Sequence, residues 1–407
     1  MTSARSWQTP AVILLCGCLI GIIGFGPRSA LGLFLTPMSS LHGWGRDVFA
    51  LALAIQMLVW GAAQPFVGAI ADRFGPVSVL CVGAILYAVG LGWMAYATTP
   101  GELHLSAGFI VGIGLAGTSF TVVIGAFGKL LPLRWRSIAF GAGTAAGSFG
   151  QFLFSPLAIA LNGRVEWQTT LLIFAAVILL IMPLSLALAF PKNAQGSGAS
   201  QAAQQSVTAA LREALGHNSY VLLVLGFFTC GFQLFFITVH LPAYLADRGL
   251  SAEVGGWTLA AIGLFNMIGS IGAGWLSDRI PKRHLLALIY FLRSIAIFAY
   301  ISLPISPASS VIFGATMGLL WLSTVPPTQG LVAVMFGTRW LTMLAGFAFF
   351  SHQVGGFLGV WLGGVLYERI GSYDVVWYFA ILLGILSAVI NLPIVEKPVE
   401  RPATAAA

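Results

Sequence analysis

The sequence predicts an all-helical membrane protein, with twelve spans arranged as two pseudo-symmetric six-helix bundles. Composition is the first reason. The 407 residues are 58% hydrophobic and only 8% charged, whereas a soluble domain carries about 25% charged residues. The second is length: a bilayer span needs about 20 apolar residues. Such stretches recur near 11–38, 48–71, 76–97, 104–128, 137–161, 168–190, 218–245, 254–277, 284–303, 308–332, 340–366 and 374–394. The third is an internal repeat. Arg134-Trp-Arg-Ser-Ile-Ala-Phe-Gly141 returns 205 positions later as Arg339-Trp-Leu-Thr-Met-Leu-Ala-Gly346. The same shift carries Phe152-Leu153 to Phe357-Leu358 and Pro37 to Pro242, and a shift of 206 carries Asp72-Arg73 to Asp278-Arg279. A near-constant offset means two copies of one unit.

Three segments follow: a bundle over 1–190, a linker over 191–217 and a second bundle with a short tail over 218–407. The linker is rich in Gly, Ser and Gln and too polar to span a bilayer. The first apolar segment runs past Leu35, longer than a signal peptide's apolar region of about 7–15 residues, so no cleavable signal is expected. Cys16, Cys18, Cys81 and Cys230 all fall in apolar spans, which argues against a disulfide framework or a metal cluster. No nucleophile–base spacing is recognisable either, so neither an enzyme nor a cofactor is expected.

Charge placement orients the chain. Arg5, Arg73, Lys129, Arg134, Arg136, Lys192, Arg212, Arg279, Lys282, Arg283, Arg339, Lys397 and Arg401 fall on one side, against Arg46, Arg164, Arg248 and Arg369 on the other. Positive residues stay cytoplasmic, so both termini and the linker are expected inside, in the inner membrane of a bacterium. The net charge of +7 is explained by this distribution and implies no nucleic acid.

Two arginines remain in the spans. Arg28 sits within Gly24-Phe-Gly-Pro-Arg28-Ser, deep in the first span. A charge at that depth costs several kcal/mol and faces a bundle interior or a wet cavity. All twelve carboxylates fall in loops or at helix ends, so the spans hold cations and no counter-charge. A guanidinium facing a cavity favours an anion, and its planar fork suits a carboxylate. The 205 shift takes Arg28 to Gln233, which is expected at an equivalent height on the opposite wall.

Gly68-Ala-Ile-Ala-Asp72-Arg73-Phe-Gly75 resembles the signature loop of the major facilitator superfamily, and Gly274-Trp-Leu-Ser-Asp278-Arg279 is its weaker copy. The resemblance covers essentially the whole chain. It implies the fold of that superfamily and a latch of Asp72, Arg73, Asp278 and Arg279, with Arg134 and Arg136 nearby, that breaks as the halves rock. Within the superfamily, Pro27-Arg28-Ser29 and the basic loop and glycine-rich fifth span Arg134-Trp-Arg136-Ser-Ile-Ala-Phe-Gly-Ala-Gly-Thr-Ala-Ala-Gly147-Ser-Phe-Gly150 look like the monocarboxylate transporters and their oxalate/formate antiporter relatives. That likeness implies transport of a small organic anion, with a proton or a counter-anion, by a monomer in a lipid bilayer. The chain departs from the pattern in its eighth span, where Asn266 and Ser270 stand in place of the family's acid–arginine pair.

Arg293, in the ninth span, reads either as a second cationic contact or as an arginine satisfied by helix-end carbonyls. The superfamily uses that helix as scaffold, which favours the second reading. His352 and His240 are the intramembrane proton-carrying candidates. His352 and Gln353, together with Thr118, Ser119, Ser148, Gln151, Asn266, Ser323 and Thr324, are the polar lining candidates, and Phe25, Phe232 and Trp321 are candidates to enclose an organic tail. Each also reads as an ordinary packing residue. Export of neutral hydrophobic compounds is the alternative function, and a non-transporting sensor a more remote one.

Overall fold

Each of the twelve expected spans is a helix in the computed structural model, which describes residues 7–44, 46–190 and 205–399. They are α1 (Pro10–Ala30), α2 (Leu51–Phe74), α3 (Pro76–Ala95), α4 (Pro100–Leu130), α5 (Leu133–Asn162), α6 (Trp167–Leu188), α7 (Asn218–Leu241), α8 (Glu253–Leu276), α9 (Lys282–Ser302), α10 (Pro307–Phe336), α11 (Leu341–Tyr367) and α12 (Asp374–Asn391). The protein is an integral, multi-pass membrane protein. Residues 191–204 of the expected linker, with Lys192, lie outside the described residues, as do Arg5 and Arg401. The rest of that segment carries a short helix, Val207–Leu215, capped by the Ser206 hydroxyl.

Local chemistry sets the helix ends. Thr9 caps α1 ahead of Pro10. α4 opens on Thr99 and Glu102, each satisfying the other's backbone N–H, and α10 opens the same way on Ser306 and Ser309. In both, proline takes the first helical position, where its missing N–H does no harm. α1 stops at Ala30 instead of running to 38, passing through a 3₁₀ turn at Leu31–Phe34 into a further helix, Leu35–His42. Pro27 supplies no N–H to the turn before it, which loosens this end of α1.

The repeat extends to a shared defect. Adding 205 to the ends of α4 gives 305 and 335, against 307 and 336 for α10. Both helices are interrupted, α4 at Thr118–Ser119 and α10 between Leu320 and Val325. The offset superposes Thr118 on Ser323. Each turns its hydroxyl back to the carbonyl four residues earlier, Thr118 to Gly114 at 3.0 Å and Ser323 to Leu319 at 2.6 Å.

The bundles meet along α2/α11 and α5/α8. On the side where α1 begins and α12 ends, here the terminal side, they are pressed together. A Cβ on Gly141 of α5 would meet the Ser270 carbonyl at 2.7 Å, and one on Gly274 of α8 would meet the Ser137 carbonyl at 2.7 Å. Only glycine permits that crossing. The buried Asp72 carboxylate accepts from Lys129 at 2.6 Å and from the Met343 N–H, at the start of α11, at 2.9 Å. Asp278 accepts from the Ser137 hydroxyl at 2.5 Å. The closure therefore corrects the expected latch. The carboxylates bridge the bundles, but Lys129 supplies the cation. Arg73 lies over the Phe74 ring and Arg279 over the Trp275 ring, while Arg136 donates to the Leu131 carbonyl and Arg134 is exposed.

Removing the Asp72 charge is expected to loosen this side. With native thiols replaced, a cysteine at Thr342, packed against Gly68 and Gly125, should react several-fold faster with a bulky maleimide when Asp72→Asn is present. Loss of one buried charge-assisted bond is worth about 2 kcal/mol. An unchanged rate would remove Asp72 from the closure.

Candidate functional site

A cavity of about 1110 Å³ lies between the bundles. The far ends of α2 and α7 reach it through Leu51 and His240, the turn after α1 through Gly32 and the segment just past α11 through Arg369, and it ends at mid-helix on Phe120, Gln151 and Trp321. It thus opens to the far side, opposite the closed terminal side.

Phe25 and Arg28, three residues apart, share one face of α1 and line the cavity. The guanidinium carbon of Arg28 lies 5.9 Å from the centre of the Phe25 ring, 5.4 Å from Trp60 of α2 and 5.5 Å from Phe235 of α7. Two of those rings belong to the first bundle and one to the second. Its Nε is buried and makes no hydrogen bond. Among the described residues the one salt bridge joins Lys129 to Asp72, so no carboxylate balances Arg28. Each cation–π contact contributes about 0.5–2 kcal/mol, less than an ion pair with hydrogen bonds would provide.

The floor is aromatic. The Trp60 indole N–H donates to Gln64 at 3.2 Å, which fixes that ring. Phe349 of α11 then packs 4.9 Å from Trp60 and 5.7 Å from Phe120. His352 stacks on Phe349 at 5.5 Å and lies 5.0 Å from Phe227. Its Nδ1 meets the Gln353 amide oxygen at 3.2 Å, while Nε2 is buried without a hydrogen bond. Gln353 in turn donates to the Met57 carbonyl across the bundle boundary at 3.3 Å.

Of the sequence candidates, Arg28, Phe25, Gln151, Trp321, His240, His352 and Gln353 line this cavity. The others are corrections. Gln233 is fully buried and donates to the Ala380 carbonyl of α12 at 2.9 Å; Phe235, two residues on, is what faces Arg28. Phe232 packs on Phe379 of the same helix. Ser148 accepts from Asn266 at 2.6 Å, and the Asn266 oxygen takes the Leu322 N–H at 2.9 Å, so this pair ties α5 and α8 to the break in α10. Thr118 and Ser323 serve their own helices, Ser119 is buried beside the α4 break, and Thr324 pairs with the Cys230 thiol. A helix break leaves unpaired backbone groups, and nearby polar side chains are drawn to them rather than to the cavity.

Arg293 follows the same logic. It is fully buried, and its Nε donates to the Leu320 carbonyl at 3.0 Å while Nη2 donates to Leu320 and Trp321. A cation thus caps the C-terminal end of the first half of α10, where the helix dipole favours it. His240 lines the cavity but its Nε2 meets the Val360 carbonyl at 2.8 Å.

Sequence reasoning missed Gln56, Trp60, Phe227, Phe235 and Phe349. Gln56 is the sole polar residue in Leu51–Trp60, a usable signal. Its amide donates to the Ala107 carbonyl at 2.7 Å, leaving Oε1 without a donor. The aromatics gave no signal, because rings facing lipid and rings facing a cavity read alike.

Comparison with known proteins bears on the family and the fold. The sequence profile described as Major Facilitator Superfamily matches residues 17–360. The uncharacterized MFS-type transporter YcxA of Bacillus subtilis strain 168 is 28% identical over 392 residues, covering 93% of each chain. Monocarboxylate transporter 13 of Bos taurus is 27% identical over 395 residues, 94% of this chain and 89% of that one. Monocarboxylate transporter 11 of Homo sapiens is 28% identical over 346 residues, 80% of this chain and 69% of that one. Among solved structures, the transporter FucP in its outward conformation superposes with a TM-score of 0.72 at 15% identity, covering 94% of this chain and 98% of that one. The proton:xylose symporter XylE gives a TM-score of 0.73 at 15% identity, covering 93% and 94%. At such identities these two show the fold alone.

The two intramembrane arginines are expected to separate in thermal unfolding. Arg293→Gln strips carbonyl bonds from a buried helix end, at about 3 kcal/mol, and should lower the midpoint by several degrees. Arg28→Gln removes an uncompensated charge and should leave the midpoint unchanged or raise it. The reverse order would exchange their roles.

Proposed function

Because this chain belongs to the major facilitator superfamily, we propose that it is a secondary active transporter carrying a small organic anion, a mono- or dicarboxylate, with Arg28 as the anchor. The observation that carries this reading is a guanidinium facing the cavity with no carboxylate to balance it among the described residues. The relatives named as monocarboxylate transporters support the same class.

In this reading the bundles 1–190 and 218–407 rock about the cavity in the inner membrane of a bacterium. The termini are cytoplasmic, so the cavity opens outward. An anion entering it completes the charge of Arg28 between α1, α2 and α7. Transport then requires the terminal-side contacts of Asp72 and Asp278 to break while the far side closes around the anion. A bound ligand drives this only through different affinities for the two states, and Phe235 supplies a difference, since it moves with the second bundle. His352 is the proton site where a proton accompanies the anion, with His240 secondary; a counter-anion is the other driver. A monomer suffices, because one chain encloses the whole cavity.

The apolar lining also favours a second reading, export of neutral hydrophobic compounds. Uptake by proteoliposomes separates the two. Saturable uptake of a labelled acid from a panel (lactate, pyruvate, oxalate, succinate, an aromatic acid) should fall at least about tenfold in Arg28→Gln, about 1.4 kcal/mol or more. Where a proton accompanies the anion, an inward proton gradient should stimulate uptake in wild type and not in His352→Gln. If Arg28→Gln transports as well as wild type, the anchor assignment fails; if no acid moves, the neutral-compound reading takes its place.

A further inference from the structure

Resting on the anion-carrier reading, we propose that the ligand is a carboxylate borne on a flat aromatic or similarly apolar body, with no ammonium group. The cavity and the position of Arg28 within it lead to this class.

Size comes first. Counted out to its open far side, the cavity holds about 1110 Å³, room for a drug-sized ligand, whose pockets run about 300–1,000 Å³. A two- or three-carbon acid would leave most of it as water against aromatic faces. The rings are contiguous across both bundles: Phe25 lies 6.3 Å from Trp60, Trp60 lies 4.9 Å from Phe349, and Phe349 lies 5.7 Å from Phe120. Offset and edge contacts at such spacings reward another ring with more than the area it buries.

Orientation comes second. Phe25, Trp60 and Phe235 crowd the Arg28 guanidinium. An anion held by Arg28 therefore has its carbon skeleton among these rings, with Trp60 contributed by one bundle and Phe235 by the other. An apolar body touching both would sense their relative position, as a carried ligand must.

Polarity comes third. No Asp or Glu is among the described residues that line the cavity, so an ammonium group would enter without a counter-charge. The amide nitrogens of Gln56 and Gln353 are already committed to the Ala107 and Met57 carbonyls. A polyhydroxylated acid would lose hydration without recovering its hydrogen bonds.

Calorimetric titration of the full chain in lipid nanodiscs tests this with four matched probes: phenylacetate, propionate, phenylalanine and phenylacetamide. Phenylacetate should bind at least about tenfold tighter than each of the others, a difference of about 1.4 kcal/mol. Phe235→Ala, with Phe235→Leu as the milder variant should alanine impair folding, should narrow the preference for phenylacetate over propionate while leaving propionate binding in place. Propionate or phenylalanine binding as tightly as phenylacetate overturns the aromatic-acid inference but leaves the anion carrier standing. Phenylacetamide binding as tightly as phenylacetate overturns the anion reading itself, and no binding by any acid removes both.

Discussion

An arginine held among aromatic rings without a counter-charge is the constraint on which this structure turns. Burying a charge is tolerated only when it is paired, hydrogen-bonded or neutralised. Arg28 has ring faces around it and an Nε with no hydrogen bond. The site is therefore electrostatically incomplete until an anion arrives. Arg293 shows the alternative: its Nε and Nη2 donate to the Leu320 and Trp321 carbonyls, and it stabilises the scaffold instead. Two intramembrane arginines play opposite parts because one meets helix-end carbonyls and the other meets rings and open space.

That incompleteness is held by a frame built twice. α4 and α10 break at matching positions, and each break is stitched by a hydroxyl turned back onto its own helix. The second break is additionally tied to α8 by Asn266 and to α9 by Arg293. Trp321, at the rim of that break, can then line the cavity without leaving its backbone carbonyl unpaired. The terminal-side closure is of another kind. It consists of glycine-permitted helix crossings and a few bonds to Asp72 and Asp278, a seam compact enough to exclude water and sparse enough to part.

Most of the fold was legible because its signals are redundant. Twelve apolar stretches, a polar interruption and a repeat at offset 205 each point to the same architecture. The site was less legible, for reasons visible at particular residues. Arg28 stood out since a charge in a span demands an explanation. Gln233 follows from the repeat offset, but Phe235, two residues on and so on another face of the helix, is the side chain that reaches Arg28, while α12 offers Gln233 the Ala380 carbonyl. Asn266, Ser148 and Thr324 read as lining because they are polar, whereas the break in α10 and the contacts between bundles use polar groups first. Phe235 and Trp60 were invisible, since hydropathy assigns every ring in a membrane span the same meaning.

The most direct test of the central claim is a structure of the protein with 4-bromophenylacetate, located by the anomalous signal of bromine. The carboxylate is expected within hydrogen-bond distance of the Arg28 guanidinium and the bromine among the cavity rings, with Trp60 and Phe235 on its flanks. A bromine on the lipid-facing surface, or a carboxylate held by Arg369 at the far end of the cavity with Arg28 still unpartnered, would contradict it.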